Sequence, residues 1–149
     1  MKKIFLILIF FLSSCGYQPI YIEKKLKKIE FAKITFEGIS DINQIIENSI
    51  SFDENEFDDT LNNLLIKSTY EIQETSRNSK GQVESYRSQI NVNLTISKKN
   101  QIISSKIISK NFSYPKNENK FELVRYQNEI KNNLIKEVIQ DIILFINIQ

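Results

Sequence analysis

Two long runs of strict alternation in the middle of the chain leave few architectures open. Leu64, Ile66, Ser68, Tyr70 and Ile72 alternate with Leu65, Lys67, Thr69, Glu71 and Gln73. After residues 77–82 (RNSKGQ), alternation resumes: Tyr86, Ser88, Ile90, Val92, Leu94 and Ile96 against Arg87, Gln89, Asn91, Asn93 and Thr95. Successive strand side chains point to opposite faces, so this pattern predicts two long strands, buried on one side and wet on the other. Gly81 and the Asn/Ser/Lys cluster before it make the connection a hairpin. Residues 98–101 (KKNQ) turn the chain again, and residues 102–114 supply a further strand ending before Pro115.

The flanks are read the same way. In residues 29–38, Ala32, Ile34 and Phe36 alternate with Lys33, Thr35 and Glu37, which predicts one strand ended by Gly38. Ser40 is placed to cap a helix whose Ile42, Ile45, Ile46 and Ile50 share a face. The acidic residues Asp53, Glu54, Glu56, Asp58 and Asp59 lack the spacing and central Gly of a calcium loop. That segment reads as a solvated loop or a frayed helix turn. From about Asn117 the period changes. Leu123, Ile130, Leu134, Val138, Ile142 and Phe145 follow helical spacing, Ile135, Ile139 and Ile146 widen the stripe, and Lys131, Lys136 and Glu137 lie off it. The predicted fold is α+β: a two-layer sandwich in which two helices cover one face of a four-stranded mixed sheet, in the order β-α-β-β-β-α. Lys67, Thr69, Glu71, Gln73, Arg87, Gln89, Asn91 and Asn93 fall on the other face, which stays wet or meets a polar partner.

Composition removes whole classes of chemistry. The chain has no histidine, hence neither the usual general base nor the commonest nitrogen ligand for metals. No carboxylate pair stands apart from the many exposed acids. The expectation is a protein that is not an enzyme, with no catalytic, metal-binding or cofactor-binding residues. Residues 29–149 read as one domain.

The single cysteine, Cys15, sits where an apolar run ends. Lys2 and Lys3 precede an unbroken apolar stretch, Ile4 to Leu12, about half of the roughly 20 residues a bilayer-spanning helix needs. Such a stretch matches the apolar core of a secretory signal followed by small residues, here Ser13 and Ser14. Leu12-Ser13-Ser14-Cys15 resembles the lipobox of bacterial lipoproteins, which implies a signal peptide at residues 1–14 and lipid on Cys15. Residues 15–28 become the lipidated N-terminus and tether, with Lys24, Lys25, Lys27 and Lys28 near its end. Gly16 stands where Asp would signal inner-membrane retention, which favours the outer membrane. With no second cysteine, an exported domain folds without disulfides. Loss of Lys2 and Lys3 takes the formal charge of +2 to zero, a poor balance for binding nucleic acid.

Residues 15–21 (CGYQPIY) after the lipobox, residues 75–96 (TSRNSKGQVESYRSQINVNLTI), and the order of elements through the last helix together resemble the LptE family of outer-membrane lipoproteins. The resemblance covers most of the mature chain. It implies a protein that plugs the lumen of the LptD β-barrel, assists its assembly, and contacts lipopolysaccharide on its way to the outer leaflet. The domain would then lie on the periplasmic side, within the barrel. It also implies basic lipopolysaccharide-binding residues at the central hairpin tip and near the start of the last helix. Arg77 or Lys80 matches the first and Arg125 the second. Other anchored, non-enzymatic roles stay open: an auxiliary lipoprotein of an ABC-type lipid transport system, or a structural lipoprotein without lipid cargo.

Overall fold

A computed structural model describes residues 29–148; the predicted signal peptide, Cys15 and the tether lie outside the described residues. The elements run β1 (Ile29–Phe31), β2 (Lys33–Gly38), α1 (Ser40–Ser49), β3 (Phe52–Glu54), β4 (Asn63–Arg77), β5 (Val83–Lys98), β6 (Gln101–Pro115) and α2 (Lys120–Ile148). The main sheet has the order β2-β4-β5-β6, with β2 parallel to β4 and the other pairs antiparallel. Both helices pack on one face of this mixed sheet, the α+β sandwich expected from the periodicity. The parallel pair is possible because α1 lies between its strands and supplies the crossover.

The strand expected over residues 29–38 is divided. β1 pairs in parallel with β3 in a two-stranded sheet, and the chain bends at Ala32 before β2 joins β4. The cause lies in the neighbouring segment. The Asn55 amide donates to the Phe31 carbonyl at 2.9 Å, and the Ala32 amide donates to the Asn62 carbonyl at 2.8 Å. Residues 55–62 thus leave the ladder as an excursion, and the first strand bends where its partner departs. The acidic segment is accordingly neither all loop nor helix. Asp53 and Glu54 belong to β3, and turns follow.

Each helix is amphipathic with small departures from expectation. α1 buries Ile42 and Ile46, and Ile50 just beyond it, but leaves Ile45 exposed. Ser40 is the first helical residue and not the cap; Ile39 holds that position, with no side-chain cap hydrogen bond. Asn119 caps α2, its Oδ1 accepting the amides of Phe121 (3.0 Å) and Glu122 (3.3 Å). α2 buries the predicted stripe from Ile130 to Ile146 against β5 and β6, with Leu123 half-buried. Lys131 does not point away, as its spacing suggested. Its ammonium bonds Asp41 on α1 and lies 5.3 Å from the centre of the Tyr70 ring.

Two polar clusters sit inside the core. Ser68, fully buried, donates to Asn43 Oδ1 at 2.7 Å and accepts the Ile39 amide at 3.1 Å, while Asn43 Nδ2 donates to the Glu37 carbonyl at 3.0 Å. These bonds fix the β2–α1 turn to β4. Farther along the sheet, Ser88 lies between the hydroxyls of Tyr70 (3.1 Å) and Tyr114 (3.2 Å). No buried side-chain donor or acceptor among the described residues lacks a partner, so hydrogen bonds offset the cost of burying both clusters.

Candidate functional site

The two hairpins determine which end of the molecule carries the basic residues. β5 and β6 meet at a two-residue turn, Lys99-Asn100, with φ of 47° and 64°, the left-handed pair of a type I′ turn. β6 then runs back the length of β5 until Pro115 stands opposite Ser85. The Lys116 amide donates to the Glu84 carbonyl at 2.7 Å, and α2 starts four residues later. The start of the last helix and the β4–β5 tip therefore share one end of the sheet.

At the tip, Asn78 organises the turn. Its Oδ1 accepts the amides of Lys80 (2.9 Å) and Gln82 (3.0 Å), its carbonyl accepts the Gly81 amide (2.9 Å), and its own amide donates to the Gln82 carbonyl (2.9 Å). Gly81 has φ of +77°, which L side chains rarely adopt. Arg77 braces the same turn. Its guanidinium donates to the Gly81 carbonyl at 2.9 Å and forms an ion pair with Glu74. Lys80 differs: it is exposed, and its ammonium forms no ion pair among the described residues. Arg125, in the second turn of α2, donates to Glu122 at 2.7 Å and lies 3.9 Å from Glu129.

The hairpin candidates are thus unequal: Arg77 has its donors partly occupied, whereas Lys80 presents a free cation. Sequence reasoning missed two neighbours at this end. Lys116, paired with Glu118 at 3.1 Å, and Lys120, which opens α2, flank the same loop. The signal was available, because two strands of nearly equal length after the tip, 16 and 15 residues, must return the chain to it.

The face away from the helices is the second feature. Thr35 and Glu37 of β2, Lys67 to Gln73 of β4, Arg87 to Thr95 of β5, and Ser105 to Ser113 of β6 alternate onto it. Neutral amides and hydroxyls dominate, beside the charged Glu37, Lys67, Glu71 and Arg87 and one exposed apolar residue, Ile107. Gln89 Nε2 donates to Asn91 Oδ1 (3.1 Å), Ser105 donates to Asn93 Oδ1 (3.3 Å), and Arg87 Nε donates to Ser113 Oγ (3.2 Å). Glu37 and Lys67 pair across the strands at 3.5 Å. Such an array can exchange hydrogen bonds with a polar wall, and it offers no nucleophile–base pair. Among the described residues no group of three or more acidic or thiol side chains could hold a metal.

Solved structures share this fold. Rare lipoprotein B from Shewanella oneidensis matches 75% of this chain and 90% of its own, at 13% identity and a TM-score of 0.51. A minor lipoprotein from Acinetobacter baumannii matches 78% and 90%, at 15% identity and a TM-score of 0.57. Lipoprotein B from Nitrosomonas europaea matches 78% and 84%, at 16% identity and a TM-score of 0.54. At these identities the likeness is one of fold. No protein-family model matches the chain, and no curated protein matches its sequence. No helix among the described residues is long and apolar enough to cross a membrane.

Proposed function

We propose that this chain is an outer-membrane lipoprotein, anchored through Cys15, that plugs the lumen of an LptD-type β-barrel, assists its assembly and contacts lipopolysaccharide. The role is non-enzymatic. One observation carries the reading: the sheet buries one face under its helices and keeps the other largely polar, rich in amides and hydroxyls on β4, β5 and β6 and interrupted by the exposed Ile107. Large outer-membrane barrels have polar interiors, with which such a face can exchange hydrogen bonds. The lipoprotein folds above and the lipobox-like Leu12-Ser13-Ser14-Cys15 support the anchor. Several acyl chains on one residue hold a protein to a bilayer far better than one chain, whose binding is marginal. At the exposed end, Lys80 is the hairpin-tip cation with no ion pair among the described residues and can meet lipid A phosphates, with Arg77 setting the shape of the turn and Arg125 on the neighbouring helix.

The test is an affinity pull-down from detergent-solubilised outer membrane, followed by mass spectrometry, on wild type and on Asn91→Leu/Asn93→Leu. A barrel of the LptD type should co-purify with wild type and be reduced at least about tenfold with the double variant. Recovery of no barrel overturns the plug. Separately, Cys15→Ser should lose labelled palmitate and leave the membrane fraction; normal labelling of that variant overturns the anchor.

A further inference from the structure

The sheet's two edges are treated differently. β2, six residues long, has one edge amide covered from within: Glu54 Oε1 accepts the Ile34 amide at 2.7 Å, where a neighbouring strand would otherwise bond. β6 is a fifteen-residue edge, and among the described residues no side chain bonds its backbone. A bare edge of that length is a template for another strand unless something guards it. Part of it is guarded. On the helix side of β6, Lys106 lies 5.5 Å from the centre of the Phe145 ring, and Lys110 pairs with Asp141 at 2.9 Å. Charges turned inward on an edge strand discourage pairing, and these two also pin α2 to the strand.

Past Lys110 the guard stops. The next helix-side residue is Phe112, 47% exposed, and here a cleft of about 220 Å³ opens between the strand edge and α2. Ile130, Leu134 and the Tyr126 ring form its apolar floor with Phe112. Glu129, Asn133 and Glu137 form its rim. Glu137 makes no ion pair among the described residues, and Glu129 only a long one, 3.9 Å, to an Arg125 already bonded to Glu122. The nearby Lys110 bonds Asp141, and Glu137 attracts it only at longer range. An engineered apolar cavity of about 150 Å³ holds benzene. This cleft is large enough for one long side chain.

From the open strand edge beside an apolar cleft with an acidic rim, we infer that the β6 segment Asn111–Tyr114 is a docking site for an extended segment of a partner protein. The segment adds as a strand and places one lysine or arginine in the cleft. Main-chain hydrogen bonds to the edge supply attachment, and the cleft selects the side chain at one alternate position. A long cationic side chain suits this cleft: its methylenes lie on Phe112 and Leu134 while its head reaches Glu129 and Glu137. The site is on the edge, not on the polar face assigned to the barrel, so it stands independently of that reading.

The test uses the full chain in detergent, ¹⁵N-labelled, titrated with twelve-residue Thr/Val-alternating peptides carrying a central Arg or a central Glu. The Arg peptide should shift amides within residues 111–114 and 126–137 and bind at least about tenfold more tightly than the Glu peptide. Glu129→Gln/Glu137→Gln, both exposed positions, should remove that preference without unfolding the chain. N-methylation of alternate amides in the Arg peptide should weaken binding at least about tenfold. Equal affinity for the two peptides, shifts confined to other surfaces, or no binding at all overturns the proposal. So does concentration-dependent self-association through β6 in sedimentation, which would assign the edge to a second copy.

Discussion

The two halves of the β4–β5 hairpin share one sequence pattern and have opposite environments. In the first half, Leu64, Ile66 and Ser68 are buried, facing Ile96, Leu94 and Val92 on β5. In the second, no residue of β4 after Tyr70 is buried, and Ile72, on the apolar side of the alternation, is 42% exposed. The difference comes from what lies above. α1 covers β2 and the start of β4, whereas α2 packs over β5 and β6. Strand periodicity reports which side a residue faces, not whether anything covers that side. One half therefore supplies stability and the other supplies reach.

The sharpest way to break that comparison is to make one change in both halves. Gly38 and Gly81 both have φ in the left-handed region, +94° and +77°. A Cβ on Gly38 would meet the Ser68 carbonyl oxygen at 1.9 Å, while one on Gly81 meets nothing within 4 Å. Gly38→Ala combines backbone strain with overpacking, each about 1–3 kcal/mol, for a loss of about 2–6 kcal/mol. Gly81→Ala keeps only the left-handed penalty of about 1–2 kcal/mol. Chemical denaturation of the two variants should separate them clearly; equal losses would mean that the tip is as tightly packed as the β2–α1 turn.

Isoleucine at equivalent positions gives the next largest contrast. Ile66 is fully buried, and Ile66→Ala should cost about 2–5 kcal/mol. Ile72→Ala, six ladder pairs nearer the tip on the same face, should cost under about 1 kcal/mol. This pair also shows how much the sequence could say. Both residues occupy identical places in the alternation, and the fold class, the two hairpins and the α2 stripe follow from such spacing. Coverage depends on where α2 crosses the sheet, which no local period records. The same limit hid the direction of Lys131, which lies off the stripe because it reaches α1, and the short β1–β3 pairing, whose three-residue strands are too brief to show a period. At the tip, the sequence supplied Arg77 and Lys80 as equals. Only the turn geometry, with Gly81 and Glu74 holding the guanidinium, separates them.

That separation predicts a split between binding and stability. Lys80→Glu should weaken lipopolysaccharide binding by the purified protein at least about tenfold, equivalent to about 1.4 kcal/mol, with unfolding unchanged. The loss should shrink with added salt, since exposed charges are screened. Arg77→Gln should instead lower stability slightly, by the worth of an exposed ion pair and one hydrogen bond, about 1 kcal/mol, with a smaller effect on binding. If Arg77→Gln proves the more damaging change for binding, the assignment of roles at the tip is reversed.

The smallest expected effect lies at the boundary between the halves, where Lys131 bonds Asp41 beside Tyr70, the last covered residue of β4. The hydrogen bond from the Lys131 ammonium is the largest of the influences holding the Asp41 carboxyl below its ordinary value of 3.8, against the opposing effect of desolvation. A carboxyl depressed in the folded state adds stability that is complete above the ordinary value and is lost as pH falls through the folded one. Asp41→Asn should therefore be less stable than wild type by a constant amount from neutral pH down to about pH 5, and the two should converge below about pH 3.8. The Asp41 side chain is 60% exposed, so solvent screening keeps the gap under about 1 kcal/mol. Asp58 also titrates low, chiefly because the Thr60 hydroxyl bonds it, so acid unfolding of wild type alone mixes the two groups. The difference between wild type and Asp41→Asn isolates the α1–α2 link. A gap that widens below pH 3.8 would show that the carboxylate is not what joins the helices, and that Lys131 is held at this boundary by the Tyr70 ring instead.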